Sequence, residues 1–128
     1  PRMVACQPAL ANSLEVSLER GSPTAIELPP TNSVARSVCE TIAADKALHA
    51  IRDSSGAAAS ATDGDIIQAV RDLGLEGLNV EAGSATTVAC LSKLISRGEL
   101  LPDTVMVCVL TGAGYRWPEQ AAWAVLPN

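Results

Sequence analysis

The sequence predicts an α/β fold, a largely parallel sheet with flanking helices. Three observations lead there. Strand-like and helix-like segments alternate along the chain. The most apolar segment, "TVMVCVL" (104–110), lacks polar–apolar alternation, the mark of a strand buried on both faces. The 128 residues are 48% hydrophobic, a composition that folds rather than stays disordered.

The elements follow in order. "MVACQPA" (Met3 to Ala9) reads as a short strand. Leu10, Leu14 and Leu18 then recur every four residues, a stripe along one helix face, and Gly21 after Arg20 reads as a helix C-cap. "SPTAIELPPTNS" carries three prolines and reads as an extended connection with a short edge strand at Thr24 to Glu27. A helical stretch starts near Ser33 and breaks around Glu40 to Ala44. In its second half Ala47, Leu48 and Ile51 share a face, with His49 opposite and solvated, and Ser54-Ser55-Gly56 ends it.

"AAASA" (Ala57 to Ala61) is a further strand. Thr62 with Asp65 forms a capping box with Asp in place of the preferred Glu. Ile66, Ile67, Val70 and Leu73 give the following helix its face, and Gly74 or Gly77 stops it. A strand-like piece precedes a helix with Ser84 as a plausible N-cap, Val88, Leu91 and Ile95 as its apolar face, and Lys93 and Arg97 near its C-terminal end. Gly98 caps that helix. After Pro102 comes the strongest strand.

Bulk properties exclude several function classes. The formal net charge is −5 and the nine Lys and Arg are scattered, so no basic stripe exists for nucleic acid. No apolar run approaches the roughly 18 residues of a spanning helix, and no signal peptide is visible. A cytoplasmic location is expected. Cys6, Cys39, Cys90 and Cys108 form no Cys-x-x-Cys pair, and with a single histidine no metal site is expected. The cysteines read as small buried hydrophobes. With aromatics at 2% and no Phe, the core must be built from Val, Ile, Leu and much Ala. Each small side chain buries little area, at roughly 25 cal/mol per Å², which hints at a partner or a larger parent fold.

Ligands of open α/β sheets gather beyond the carboxyl ends of strands. Two segments should arrive there, "VEAGSA" (80–85) before a helix and "LTGAG" (110–114) after the strongest strand. Glycines there permit positive φ and close backbone approach. Thr111 offers a hydroxyl, and Glu81 a charge that needs a partner where it is buried. "TGAG" lacks the third glycine of a dinucleotide fingerprint. By local sequence, Gly112 and Gly114 also suit a plain turn, and Ser84 a plain helix cap. One solvated histidine assembles no Ser-His-Asp or Cys-His arrangement.

The segments taken together resemble a known family. "EGLNVEAGSATTVACLSKLISRGELLPDTVMVCVLTGAGYRWPE" is similar to the C-terminal part of threonine synthase and its relatives. These are pyridoxal-phosphate (PLP) enzymes of fold type II, the tryptophan-synthase-β type. That family runs Glu-Gly-(Ile/Leu)-x-x-Glu-Pro-x-Ser-Ala, then a helix ending in glycine, then a strand ending in Leu-Thr-Gly-x-Gly. "RMVACQPALANSLEVSLERG" is similar to its preceding strand–helix unit. "ADKALHAIRDSSGAAASATDGDIIQAVRDLG" is similar to its Ala-Leu-x-x-Ile-x-x-Ser-x-Gly stretch and the capped helix after it. The resemblance covers about residues 2 to 118. "EAGSA" departs from "EPxSA" at Ala82 and Gly83, which loosens that loop.

The resemblance implies cofactor-binding roles for Thr111, Gly112, Glu81 and Ser84. Thr111 stands where the family places a hydroxyl near the pyridine nitrogen, and Glu81 at its glutamate beside the ring. A neutral hydroxyl leaves the ring a milder electron sink, suited to β- or γ-elimination and replacement. The family's Schiff-base lysine and glycine-rich phosphate loop lie in its N-terminal half. Here the only lysines, Lys46 and Lys93, match non-catalytic family segments, so no catalytic residue is expected in this chain. The implied division is a C-terminal segment of the cofactor-binding domain over 1–118 and a tail over 119–128. The implied protein is a split or cleaved PLP-dependent lyase or synthase of amino-acid metabolism, a hetero-oligomer. It would share pyridoxal 5'-phosphate with a polypeptide carrying the N-terminal half of the fold. The alternatives are a non-catalytic relic or assembly module that binds no cofactor, and a fragment of one continuous chain.

Overall fold

The computed structural model describes residues 1–101 and 103–122. Pro102 and the tail from Trp123 onward lie outside the described residues. Strands β1 (Val4–Pro8) and β2 (Ala57–Ala61) pair in parallel, with Val4 opposite Ala57 and Pro8 opposite Ala61. Four helices of more than one turn surround them: α1 (Ser13–Glu19), α2 (Asp45–Asp53), α3 (Asp63–Leu75) and α4 (Ala82–Ser96). A short α5 (Pro118–Ala121) follows a 3-10 turn at Gly114–Arg116.

Side chains alternate across a strand, so the pair has two faces to cover. Val4, Cys6, Ala59 and Ala61 face one way, into a cluster with Ile66, Ala69 and Val70 of α3 and Ala85, Ala89, Cys90 and Leu94 of α4. Ala5 and Ala58 face the other way, against Leu14 of α1 and Leu48 and Ile51 of α2. Helices on both faces of a parallel pair make this the expected α/β arrangement.

Capping chemistry reads through to the structure. Thr62 accepts from the Asp65 backbone N–H at 3.2 Å, and the Thr62 N–H donates to the Asp65 carboxylate at 3.0 Å, the reciprocal box the sequence predicts. Gly21, Gly77 and Gly98 each take positive φ just past a helix end, where a side chain would be strained. His49 is exposed, as expected.

Four expectations are corrected. Val105–Leu110 forms no sheet ladder among the described residues, and both its faces are not buried. Val105, Val107 and Val109 are 90, 83 and 63% exposed, while Met106 and Cys108 are half-buried. An unbroken apolar run states what a strand can cover, but pairing needs a neighbouring strand. Thr24–Glu27 is not a strand either, because side chains take its backbone donors: Ala25 N–H donates to Asp45 at 2.7 Å and Ile26 N–H to Ser17 at 2.8 Å. The helical stretch expected from Ser33 supplies only a 3-10 turn, Arg36–Val38, before α2. On α4 the buried face is Ala82, Ala85, Ala89, Cys90 and Leu94, with Ile95 60% exposed. The small residues let the helix lie close to the sheet, which turns Ile95 outward and leaves Val88 and Leu91 half-buried at the edge of that face.

Candidate functional site

The two segments singled out by sequence meet at the start of α4. Val80 and Ala113 form an isolated antiparallel bridge. Around it Glu81 N–H donates to the Gly112 carbonyl at 3.1 Å and Gly114 N–H to the Asn79 carbonyl at 3.1 Å. This backbone zipper brings Glu81, Ser84, Thr111 and Gly112 together.

Ser84 is not the N-cap. Helix α4 starts at Ala82 with Glu81 as N-cap residue, so Ser84 sits within the first turn, fully buried. Its hydroxyl accepts from Gly112 N–H at 2.8 Å and reaches the Gly112 carbonyl at 3.1 Å. It lies 3.4 Å from the Thr111 hydroxyl. Thr111 itself is exposed. The Gly112 carbonyl also receives the Glu81 N–H, so it stays satisfied if Ser84 turns its proton toward Thr111. Thr111 is then free to donate outward.

Glu81 is 3% exposed. Its backbone has N-cap geometry, but its carboxylate makes no cap hydrogen bond to its own helix. Trp117 donates its indole N–H to one carboxylate oxygen at 2.9 Å, and Ser37 donates its hydroxyl to the other at 3.3 Å. The cap position is served from elsewhere: Ala82 N–H donates to the Gln120 side chain at 2.9 Å. The Glu81 carboxylate packs against Gly112, where a Cβ would sit 2.5 Å from Glu81 Cδ. Gly112 and Gly114 are absent from the residues with positive φ. Of the two expected reasons for these glycines, close approach is the one that applies.

The surface of this site therefore shows a neutral hydroxyl and backbone, with the nearest carboxylate turned inward and engaged. Such a surface suits a ligand atom that accepts a hydrogen bond from a hydroxyl. Neither lysine borders it. Lys93 sits nine residues along α4 from Ser84, about 13 Å, paired with Asp65 at 3.0 Å. Lys46 is exposed on α2. The described residues contain no cluster able to hold a metal ion. Trp117, Ser37 and Gln120 were not singled out by sequence, because Ser37 lies far along the chain from the Trp117–Gln120 segment and none belongs to a recognisable spacing.

A family model described as pyridoxal-phosphate dependent enzyme matches residues 1–112. The chain belongs to that family. It is 39% identical over 115 residues to threonine synthase of Methanosarcina acetivorans, covering 88% of this chain and 28% of that one. It is 38% identical over 94 residues to threonine synthase of Methanocaldococcus jannaschii, covering 73% and 23%. The chain thus spans less than a third of these relatives. Among solved structures, a T.th. threonine deaminase superposes with a TM-score of 0.67 at 22% identity, over 86% of this chain and 39% of that one. Maize serine racemase superposes with a TM-score of 0.71 at 20% identity, over 94% and 38%. These structures share the fold of a PLP-dependent family member, in which this chain corresponds to a part. No helix among its described residues is long and apolar enough to cross a membrane.

Proposed function

We propose that this chain forms the wall around the pyridine ring of PLP in a threonine synthase-like enzyme acting on an amino acid by β- or γ-elimination or replacement. The observation that carries this is the pair of hydroxyls at the start of α4, Ser84 buried and Thr111 exposed. In this reading Thr111 donates to the ring nitrogen while Ser84 and the Gly112 backbone hold it in place. Glu81 backs the wall from behind Gly112. When bound, the cofactor supplies the electron sink, and a neutral hydroxyl partner keeps that sink mild.

The lysine and the phosphate-binding loop come from a further polypeptide that carries the N-terminal half of the fold, and the assembly works in the cytoplasm. Two observations support a lysine supplied from outside these residues, and the native mass below tests whether a separate polypeptide carries it. Neither lysine of the chain lies at the site, and the bare valine face at Val105–Val109 is apolar surface that a further layer of the fold would cover. Residues 1–118 act as the cofactor-domain segment, with 119–128 as its tail.

The test is the native mass and absorbance of the purified protein, followed by Thr111→Val. A mass well above one chain with a yellow absorbance band, weakened or shifted by Thr111→Val, supports the reading. A lone colourless chain overturns it in favour of a module that keeps the fold and binds no cofactor. A yellow assembly indifferent to Thr111→Val removes Thr111 from the ring.

A further inference from the structure

The family match ends at Gly112, yet Trp117, which with Ser37 holds Glu81, and Gln120, which caps α4, come from beyond it. Trp117 lies five residues further on. Its backbone is fixed by Trp117 N–H donating to the Gly114 carbonyl at 3.1 Å and Gln120 N–H to the Trp117 carbonyl at 2.9 Å. Its ring is fixed by the Arg36 guanidinium, 5.0 Å from the ring centroid, and Arg36 in turn pairs with Glu119 at 3.2 Å. The exposed Arg36–Glu119 pair contributes little by itself. The cation over the ring face pins the indole with its N–H aimed inward.

The two departures at "EAGSA" make sense in this setting. A proline at position 82 would have no N–H. Ala82 has one, it is fully buried, and a buried donor needs an acceptor. Gln120, 3% exposed, supplies it and anchors its own amide on the Val34 carbonyl at 3.3 Å. A side chain at position 83 would overlap the Ser37 hydroxyl. Gly83 leaves that space open, so Ser37 reaches Glu81. The loop that is looser by sequence is thus tied down by Ser37, Trp117 and Gln120 acting together.

We propose that Trp117 is a positioning residue for Glu81. Its indole N–H, with the Ser37 hydroxyl, locks the carboxylate behind Gly112 and so sets the backbone that carries Thr111. The cofactor part of this inference rests on the ring-wall reading above; the Trp117–Glu81 pairing does not. The chain has two tryptophans, so Trp123→Phe leaves one indole N–H to follow by nuclear magnetic resonance in the full chain, purified with any polypeptide that accompanies it. Glu81→Gln should move the Trp117 indole proton upfield and speed its exchange with solvent at least tenfold, as an ionic acceptor gives way to a neutral one. An unmoved indole proton overturns the proposal even if PLP binds.

The second readout is the affinity of the assembled protein for PLP. Trp117→Phe should weaken it roughly tenfold, the scale of one charge-assisted hydrogen bond. In a Glu81→Gln background it should have little further effect. Equal effects in both backgrounds show that Trp117 does not act through Glu81 and overturn the proposal. If no cofactor binds at all, the ring-wall reading fails and the indole measurement alone decides whether Trp117 holds Glu81.

Discussion

Gly112→Ala tests the packing at the centre of the site. A Cβ there would lie 2.5 Å from Glu81 Cδ and 3.0 Å from Cγ, closer than carbon atoms approach. The backbone at Gly112 is not left-handed, so the strain is purely one of contact. Glu81 is the group that must move. Its carboxylate is held by Trp117 at 2.9 Å and Ser37 at 3.3 Å, and at 3% exposure it has no water to turn to. Overpacking costs about 1–3 kcal/mol, and a lost hydrogen bond to a charged group about 1.5–3 kcal/mol. Partial relaxation trades one against the other, so the substitution should destabilise by about 2–4 kcal/mol. With a urea slope of about 2 kcal/mol/M, the unfolding midpoint should fall by about 1–2 M. The double variant Glu81→Ala/Gly112→Ala removes the obstructing group. Its loss should be smaller than the sum of the two single losses by more than about 1 kcal/mol. A Gly112→Ala protein within about 0.5 kcal/mol of the parent, or strictly additive losses, would refute the contact as the reason for glycine.

Three further outcomes follow from the same structure. Thr62→Ala removes the α3 capping box and should lower stability by about 1 kcal/mol, read from the urea midpoint; no change would mean that Asp65 alone serves the helix start. Burial pushes the Glu15 carboxyl up, but hydrogen bonds from Ser60, Asn12 and Arg97, with the charge of Arg97, outweigh it and hold Glu15 below the usual carboxylate range. A depressed carboxylate stabilises fully above its unfolded value near about 4.3 and loses that contribution as pH falls through the folded one. The stability gap between the parent and Glu15→Gln should therefore be widest above about pH 5 and close on acidification; a gap that widens in acid contradicts it. Cys90 is fully buried, and its thiol is pushed far up by hydrogen bonding to Cys6 and by burial, whereas the Cys6 thiol is lowered by the same bond. Iodoacetamide should label Cys6 well before Cys90 in the native protein, and equal labelling would remove the pairing.

The local rules of the chain were legible where the cause is local. Thr62 and Asp65 cap α3 because three residues suffice to close that ring, and Gly21, Gly77 and Gly98 mark helix ends because positive φ is a property of one residue. Burial on α4 was not legible in the same way. Hydrophobicity favours Val88, Leu91 and Ile95 for its inner face, but the sheet beneath is alanine-rich and close approach rewards small side chains. The Ala85, Ala89 and Cys90 stripe could have been found by asking which face is small rather than which is apolar. At the site, the meeting of 81–84 with 111–112 was readable from strand-end logic, and the resemblance named the residues. The direction of Glu81 was not readable, since it depends on Ser37, 44 residues away, and on Trp117, 36 residues away. No pattern links three such positions until the chain folds.

The segment Val105–Leu110 joins the fold to the proposed function. Its Met106 and Cys108 side is half-buried, and burial pushes the Cys108 thiol up. One face of the segment is therefore already set by the body of the chain. Its other face carries Val105, Val107 and Val109, three branched apolar residues spaced two apart, as a strand presents them. The inward side fixes the register, because a slip by one residue would bury the valines and expose Met106 and Cys108. A partner strand pairing along this segment, or a partner layer covering the valines, would therefore meet a segment whose register is already chosen. The same register places Thr111 at the segment's end, one residue past Leu110 and beside Ser84. Covering the bare face would hold Thr111 where its hydroxyl can meet the ring, so in the proposed enzyme assembly and cofactor binding would reinforce each other through this segment.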